Sequence, residues 1–99
     1  MLYKVIRVDL VKLDVEEALD FYDSISPDLG MRFENDIRNT FKKLEKSPYN
    51  YFNLEHGYRR VNLKTFPYMI VYKIENQTNT VKILGVFHQH SNPIQFIKG

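Results

Sequence analysis

The stretch Tyr58–Pro93, YRRVNLKTFPYMIVYKIENQTNTVKILGVFHQHSNP, constrains the fold of this chain more than any other part. Apolar residues alternate with polar ones in runs of strand length, and polar or proline-containing turns separate the runs. Three consecutive strands are predicted, at about 58–64, 67–75 and 80–88. The turn Asn76-Gln77-Thr78-Asn79 between the last two supplies polar residues that tolerate left-handed backbone, as a tight hairpin requires. Phe66-Pro67-Tyr68 sets the other turn, because proline fixes its own φ and biases the residue before it toward extended geometry.

The first half reads differently. Residues 2–8 are rich in Val and Ile and predict a strand. Asp14 followed by Glu17 resembles a capping box at a helix start. From there Val15, Ala18, Leu19, Tyr22 and Ile25 recur at three- and four-residue spacing, an apolar stripe on one helical face. Ser26-Pro27 ends that helix and starts a second, with Ser as N-cap and Pro in the first turn, where its missing N–H costs nothing. Leu29, Phe33, Ile37, Phe41 and Leu44 form the second stripe, opposite Glu34, Asn35, Arg38, Lys42, Lys43 and Glu45. The two helices fall within 12–47 and their short connection makes an antiparallel hairpin. Residues 47–57 read as a loop whose Tyr49, Tyr51 and Phe52 either dock on the hairpin or stay open for a partner; packing is favoured. The expectation is a single α+β domain over 1–99 in the order β-α-α-β-β-β. Its helical hairpin packs on one face of a small, mostly antiparallel sheet and leaves the other face partly uncovered.

A chain of 99 residues with 43% hydrophobic and 14% aromatic content can bury one core. It has no cysteine, which excludes disulfides and thiolate metal sites and fits a reducing compartment. No apolar run approaches the ~20 residues that span a bilayer, and MLYKVIRVDL lacks the pattern of a signal peptide, so the expected location is cytoplasmic. Charge is uneven along the chain: residues 1–55 hold 8 Lys/Arg against 11 Asp/Glu, and residues 56–99 hold 6 against Glu75 alone. The sheet half is therefore basic, which suits an anionic partner such as nucleic acid or an acidic peptide; a bare solvated surface accounts for it equally.

In order and spacing, several motifs resemble the RelE/ParE superfamily of type II toxin–antitoxin toxins. They are Leu29-Gly30-x-x-Phe33 opening the second helix, Leu44-x-x-Ser47-Pro48 closing it, and Arg59-Arg60 opening a strand. Phe66-Pro67-Tyr68 then leads into Ile70-x-Tyr72, and Val86-x-His88 is followed by Pro93. The combination looks like the ParE branch, whose members are often labelled plasmid-stabilisation proteins. The resemblance implies a toxin neutralised by a cognate antitoxin and two alternative activities: binding DNA gyrase without hydrolytic chemistry, or, in the RelE branch, ribosome-dependent cleavage of mRNA. A homodimer and a toxin–antitoxin hetero-oligomer are the assemblies it suggests.

RNA cleavage of that kind needs a base, an acid and cations around the phosphate in the transition state. Where the resemblance places arginines of the RNase branch, this chain has Met69 and Gln89; near its C-terminal tyrosine stand Gln95 and Phe96, and a lysine position holds Asn62. Those losses favour gyrase binding. An RNase reading would have to use His88, His90 and Arg60. In a strand His88 and His90 point to one side about 7 Å apart, so they suit proton transfer, or two ligands of a metal whose third ligand only His56 could supply as a histidine. The ordinary alternative is a histidine bonded at the strand end beside a solvated one, and neither metal nor cofactor is expected. Parity places Arg59 with Val61 and Leu63 at the core edge, poised for a helix acid, and Arg60 with Asn62 and Lys64 on a polar face. Tyr68 and Tyr72 share a face with Ile70 and Ile74, which argues packing over base stacking. Candidate target- or antitoxin-binding residues are thus Arg60, Asn62, Lys64, Tyr68, His88 and His90.

Overall fold

The computed structural model of the protein describes residues 2–90. Strand β1 (Lys4–Arg7) leads directly into helix α1 (Asp9–Ile25), and Ser26 alone separates it from α2 (Pro27–Lys46). After a turn of 3₁₀ helix come β2 (Phe52–Asn53), β3 (Arg59–Asn62), β4 (Tyr68–Glu75) and β5 (Thr80–His88). The sheet order is β1-β5-β4-β3-β2, with β1 parallel to β5 and the other pairs antiparallel. This is the expected α+β architecture with one short strand added, because β2 lies inside the segment read as loop.

The helix boundaries follow the local chemistry. Ser26 caps α2: its side-chain oxygen accepts the Leu29 N–H at 3.0 Å, with Pro27 at the first helical position. The start of α1 is earlier than the Asp14 signal implied. Val8 is the extended N-cap, with no side-chain cap, and its carbonyl accepts from Val11 and Lys12 at 3.0 and 3.3 Å. Asp14 and Glu17 are exposed residues within the helix. The early start brings Val11, at 1% exposure, onto the core. Ile25, assigned to the apolar stripe by spacing, is 59% exposed because it ends the helix beside the connection. Gly30 permits the close hairpin: a Cβ there would lie 1.7 Å from an Asp23 carboxylate oxygen.

Phe33, Ile37 and Leu44 of α2 meet Val61, Leu63, Ile70, Tyr72, Val81 and Ile83 of the sheet in one core cluster. Tyr72 is fully buried, and its hydroxyl donates to the Pro48 carbonyl at 2.6 Å, which anchors the 3₁₀ turn after α2. Burial also raises the Tyr72 phenol above its ordinary range. The Asn76–Thr78 turn closes with Asn79 at φ 50°, the left-handed residue the sequence called for. A bulge between Val71 and Tyr72 inserts Leu84 between their partners, Gly85 and Ile83.

Asp36 ties the two layers together. This residue of α2 is 8% exposed, and its carboxylate accepts the backbone N–H groups of Lys64, Thr65 and Phe66 at 3.1, 2.8 and 3.1 Å. Charge-assisted bonds of this type contribute about 1.5–3 kcal/mol each, not additively, and buried donors left unpaired add their own cost. Asp36→Ala should therefore lower stability by roughly 3 kcal/mol or more, measured as a shift of the urea unfolding midpoint. A shift corresponding to under about 1 kcal/mol, the scale of one ordinary hydrogen bond, would refute the anchoring role.

Candidate functional site

Cross-strand register decides which candidate residues can act together. On the face toward the helices, Tyr68, Ile70, Tyr72 and Ile74 of β4 oppose His88, Val86, Ile83 and Val81 of β5. The opposite face carries Asn62, Met69 and Phe87 in one row, and Phe52, Arg60, Val71 and Gly85 in the next. Arg60 and His88 consequently belong to opposite faces. Parity alone had separated Arg59 from Arg60 correctly, but it takes both hairpin registers to relate Arg60 to the histidines.

The helix-side group is an aromatic cluster at one rim of the sheet. Phe66 and Phe33 pack edge-on at 5.2 Å, and the Tyr22 ring lies 4.9 Å from Phe66. The Tyr22 hydroxyl donates to the Tyr68 hydroxyl at 3.4 Å. Tyr68 meets the His88 ring edge-on at 6.0 Å, and His90 lies 5.4 Å from His88. The His90 N–H donates to His88 Nδ1 at 3.5 Å. His56 is exposed with φ 62° in the 3₁₀ turn before β3, where its contact is Glu55. Among the described residues no group of three His, Cys, Asp or Glu is placed to hold a metal ion. Tyr22 belongs to this cluster although its helical spacing marked it only as core.

The opposite face holds Arg60 in a fixed pose. Its guanidinium lies 4.9 Å from the Phe52 ring centroid, and Nη1 donates to Asn62 Oδ1 at 3.2 Å and approaches Met69 Sδ at 3.9 Å. Met69 and Val71 are buried on this face, at 1% and 0% exposure, so its centre is not an open polar surface. Phe87 folds back over Gly85, where a Cβ would lie 2.3 Å from the ring. Gln89 is turned to the hairpin backbone, its amide N–H donating to the Pro67 carbonyl at 3.0 Å and its side chain to the Tyr68 carbonyl at 3.3 Å. Lys64 lies beyond β3 in the turn bound by Asp36. Gln95 and Phe96 lie outside the described residues.

Arg59 is structural, but its partners differ from the helix acid expected. Its Nη1 donates to the Tyr49 and Tyr51 carbonyls at 3.2 and 3.0 Å, and its guanidinium covers the Tyr49 ring at 5.1 Å. It thereby pins the 47–53 segment to β3. Tyr51 packs partly against the core, while Tyr49 and Phe52 keep 45% and 58% exposure under their arginines. Arg59 and Arg60, together with the Tyr72 hydroxyl on the Pro48 carbonyl, thus tie the aromatic loop to the sheet.

An apolar groove of about 490 Å³ opens between the hairpin and β1. Val5, Val15, Leu19, Phe33, Ile37 and Phe41 line it, and Arg7, Glu16, Glu34, Arg38 and Glu45 stand around them. Arg7 lies over the Phe41 ring at 5.5 Å and Arg38 pairs with Glu34 at 2.6 Å, whereas Glu16 and Glu45 have no ion pair among the described residues. β1 is the edge strand beside this groove, and its outer edge has no strand neighbour among the described residues.

Burial, then the hydrogen bond and charge of Tyr68, push the Tyr22 phenol up to about 12. Above pH 10 the unfolded chain ionises this tyrosine while the folded one keeps its proton, so stability falls as pH rises from 10 to about 12. Tyr22→Phe should remove that share of the alkaline loss, and Tyr68→Phe should bring Tyr22 part of the way back toward 10 in an ultraviolet titration of phenolate. An unchanged Tyr22 titration in Tyr68→Phe would show that the two hydroxyls do not interact.

A family model described as the ParE toxin of the type II toxin–antitoxin system parDE matches residues 6–93. Among solved structures, the chain is similar to the chromosomal ParDE toxin–antitoxin system of P. aeruginosa, with a TM-score of 0.74 at 16% identity over 88% of this chain and 96% of that one. The isolated E. coli RelE toxin gives a TM-score of 0.65 at 12% identity, covering 95% and 92% of the two chains. The Mycobacterium tuberculosis RelBE2 toxin–antitoxin complex gives 0.61 at 20%, covering 89% and 99%. A search of curated proteins gives no match. At these identities the structural likenesses establish the fold.

Proposed function

Because the chain belongs to the ParE toxin family of type II toxin–antitoxin systems, we propose that it acts by binding and inhibiting DNA gyrase, and that a cognate antitoxin holds it inactive. The observation that carries the choice of target is the separation of Arg60 from His88 and His90. Cleavage of RNA requires an acid, a base and phosphate-binding cations within reach of one scissile bond. Here the two imidazoles stand on the helix-side rim, and the arginine is held on the far face by Phe52 and Asn62. Met69, buried beside Arg60, occupies a position where the RNase branch carries a cation. Oxyanion-type stabilisation contributes several kcal/mol in such reactions, and the end of this face beside Met69 offers one arginine for it. A protein-binding inhibitor needs none of that apparatus.

Purified protein is therefore expected to inhibit gyrase supercoiling while leaving RNA intact on ribosomes. Induction of the gene in bacteria should raise the DNA-damage response before protein synthesis falls. Normal supercoiling at high protein excess would exclude gyrase as the target. Translation arrest as the first event would favour the alternative, a ribosome-dependent mRNA endonuclease.

The ParDE and RelBE relatives are described as toxin–antitoxin assemblies, which supports a cognate antitoxin as partner. The groove between hairpin and β1 suits apolar side chains of that partner, and the edge of β1, which has no strand neighbour among the described residues, suits strand addition. The buried apolar contacts would hold the complex, while acids meeting the basic half of the chain would mainly speed association. Charge reversal of Arg60 and Lys64 to Glu should slow antitoxin association and weaken its salt dependence with the fold retained by circular dichroism, at a thermal midpoint lowered by loss of the Phe52 and Asn62 contacts. An unaltered association rate at low salt would eliminate charge-steered docking.

A further inference from the structure

The far sheet face has a second end, at the β4–β5 hairpin, away from the row of Asn62, Met69 and Phe87. There Lys73 of β4 stands directly opposite Lys82 of β5 on the same face, and Lys82 is paired on its other side with Ile6 of β1. One row further, Lys4 of β1, Thr80 of β5 and Glu75 of β4 lie side by side. All three lysines are exposed, and Glu75 is the one acid among these rows. Like charges directly opposite one another in a ladder destabilise it. None of the three lysines has an ion-pair partner among the described residues; Lys73 rests its ammonium on the Tyr58 ring at 5.6 Å.

We propose that the corner formed by Lys4, Lys73 and Lys82 binds the sugar–phosphate backbone of double-helical DNA. Three considerations select this occupant. Lysine is depleted from protein–protein interfaces, which are anchored by aromatic and aliphatic side chains, and Ile6 is the single exposed apolar residue within these rows. Lysine is a point charge well suited to a phosphate oxygen, and neutralising phosphates releases condensed counterions. A single strand would need aromatic faces on which bases can stack, but Tyr58 is 7% exposed beneath Lys73. The site is thus a flat, backbone-contacting surface without base readout. It does not depend on the identity of the toxin's target, and DNA binding and gyrase inhibition are measured separately.

The test is fluorescence anisotropy of the whole protein with a labelled duplex of arbitrary sequence. Three phosphate contacts predict an affinity that falls about 40-fold between about 50 and 200 mM salt. Lys4→Gln should reduce that fall to about 12-fold, and Lys73→Gln with Lys82→Gln to about 3- to 4-fold. Loss of the like-charge pair should leave the thermal midpoint equal or higher, which separates lost binding from lost folding. Absence of duplex binding at the lower salt, or the same salt dependence in all variants, would overturn the proposal. So would tighter binding of a single strand of equal length, or displacement of the duplex by polyglutamate at matched charge, which would mark the corner as an acidic-protein site.

Discussion

The carboxylate of Asp36 decides where everything after α2 can go. A buried charge in the middle of a helix is costly unless its lone pairs are filled. Here three consecutive N–H groups of the β3–β4 turn fill them. The same bonds satisfy donors that a tight turn cannot pair within the sheet, so each partner removes the other's penalty. With that turn fixed, Phe66 enters the cluster with Tyr22 and Phe33, and β4 leaves the turn with Tyr68 directed to the helices. Strand alternation then assigns every later side chain to a face, and a one-residue slip would exchange them all.

Much of this was legible in the residues, because the signals were local. Ser26-Pro27 is a cap and a first-turn proline whichever fold surrounds it, and the α2 stripe buries Phe33, Ile37 and Leu44 as its spacing requires. Asn79 takes the left-handed conformation that Asn accepts most readily after Gly. Parity in β3 placed Arg59 inward and Arg60 outward before any partner was known. The misses have a common cause, which is that a tertiary contact overrode or supplied the local signal. Asp14 and Glu17 form a reasonable capping pattern, yet the parallel pairing of β1 with β5 ends at Arg7 and the chain turns into the helix at once. β2 has two residues and exists through its pairing with Arg59 and Arg60. Arg59 donates to the Tyr49 and Tyr51 carbonyls where a helix acid was expected, because the pairing of β2 with β3 brings that backbone alongside it.

The site posed a harder problem for the same reason. His88, His90 and Arg60 look like an acid, a base and a cation when read as composition, and they become separate surfaces only when two hairpin registers and a bulge are counted. Gly85 shows how much hangs on that count: it gives Phe87 room to lie over the sheet, and its neighbour Leu84 is the residue by which the two strands differ in length across the pair. The half-buried Arg60 that results is held by contacts on three sides, from Phe52, Asn62 and Met69. A residue so fixed is well suited to present one charge to a partner and poorly suited to follow a phosphate through a changing geometry.

Fold and activity part company here in a physically specific way. The RelE and ParDE structures share this chain's architecture at identities of 12% and 16%, and an architecture of two helices on a sheet does not by itself specify a target. On the face away from the helices Met69 and Val71 are packed, so the side chains free to differ with the target are the exposed ones around them. In this chain that face is divided: one end carries a packed methionine, a phenylalanine and a single immobilised arginine, and the other carries lysines set against each other without an ion-pair partner among the described residues. An apolar, rigid end favours contact with a protein surface, since desolvated anchors bind where water can be excluded. Like charges opposed across a ladder work against their own sheet, and an anionic partner at the lysine end would relieve that cost. Were both ends to make contact, apolar anchors at the first would set how long a partner stays, and the lysines at the second how strongly salt weakens its binding.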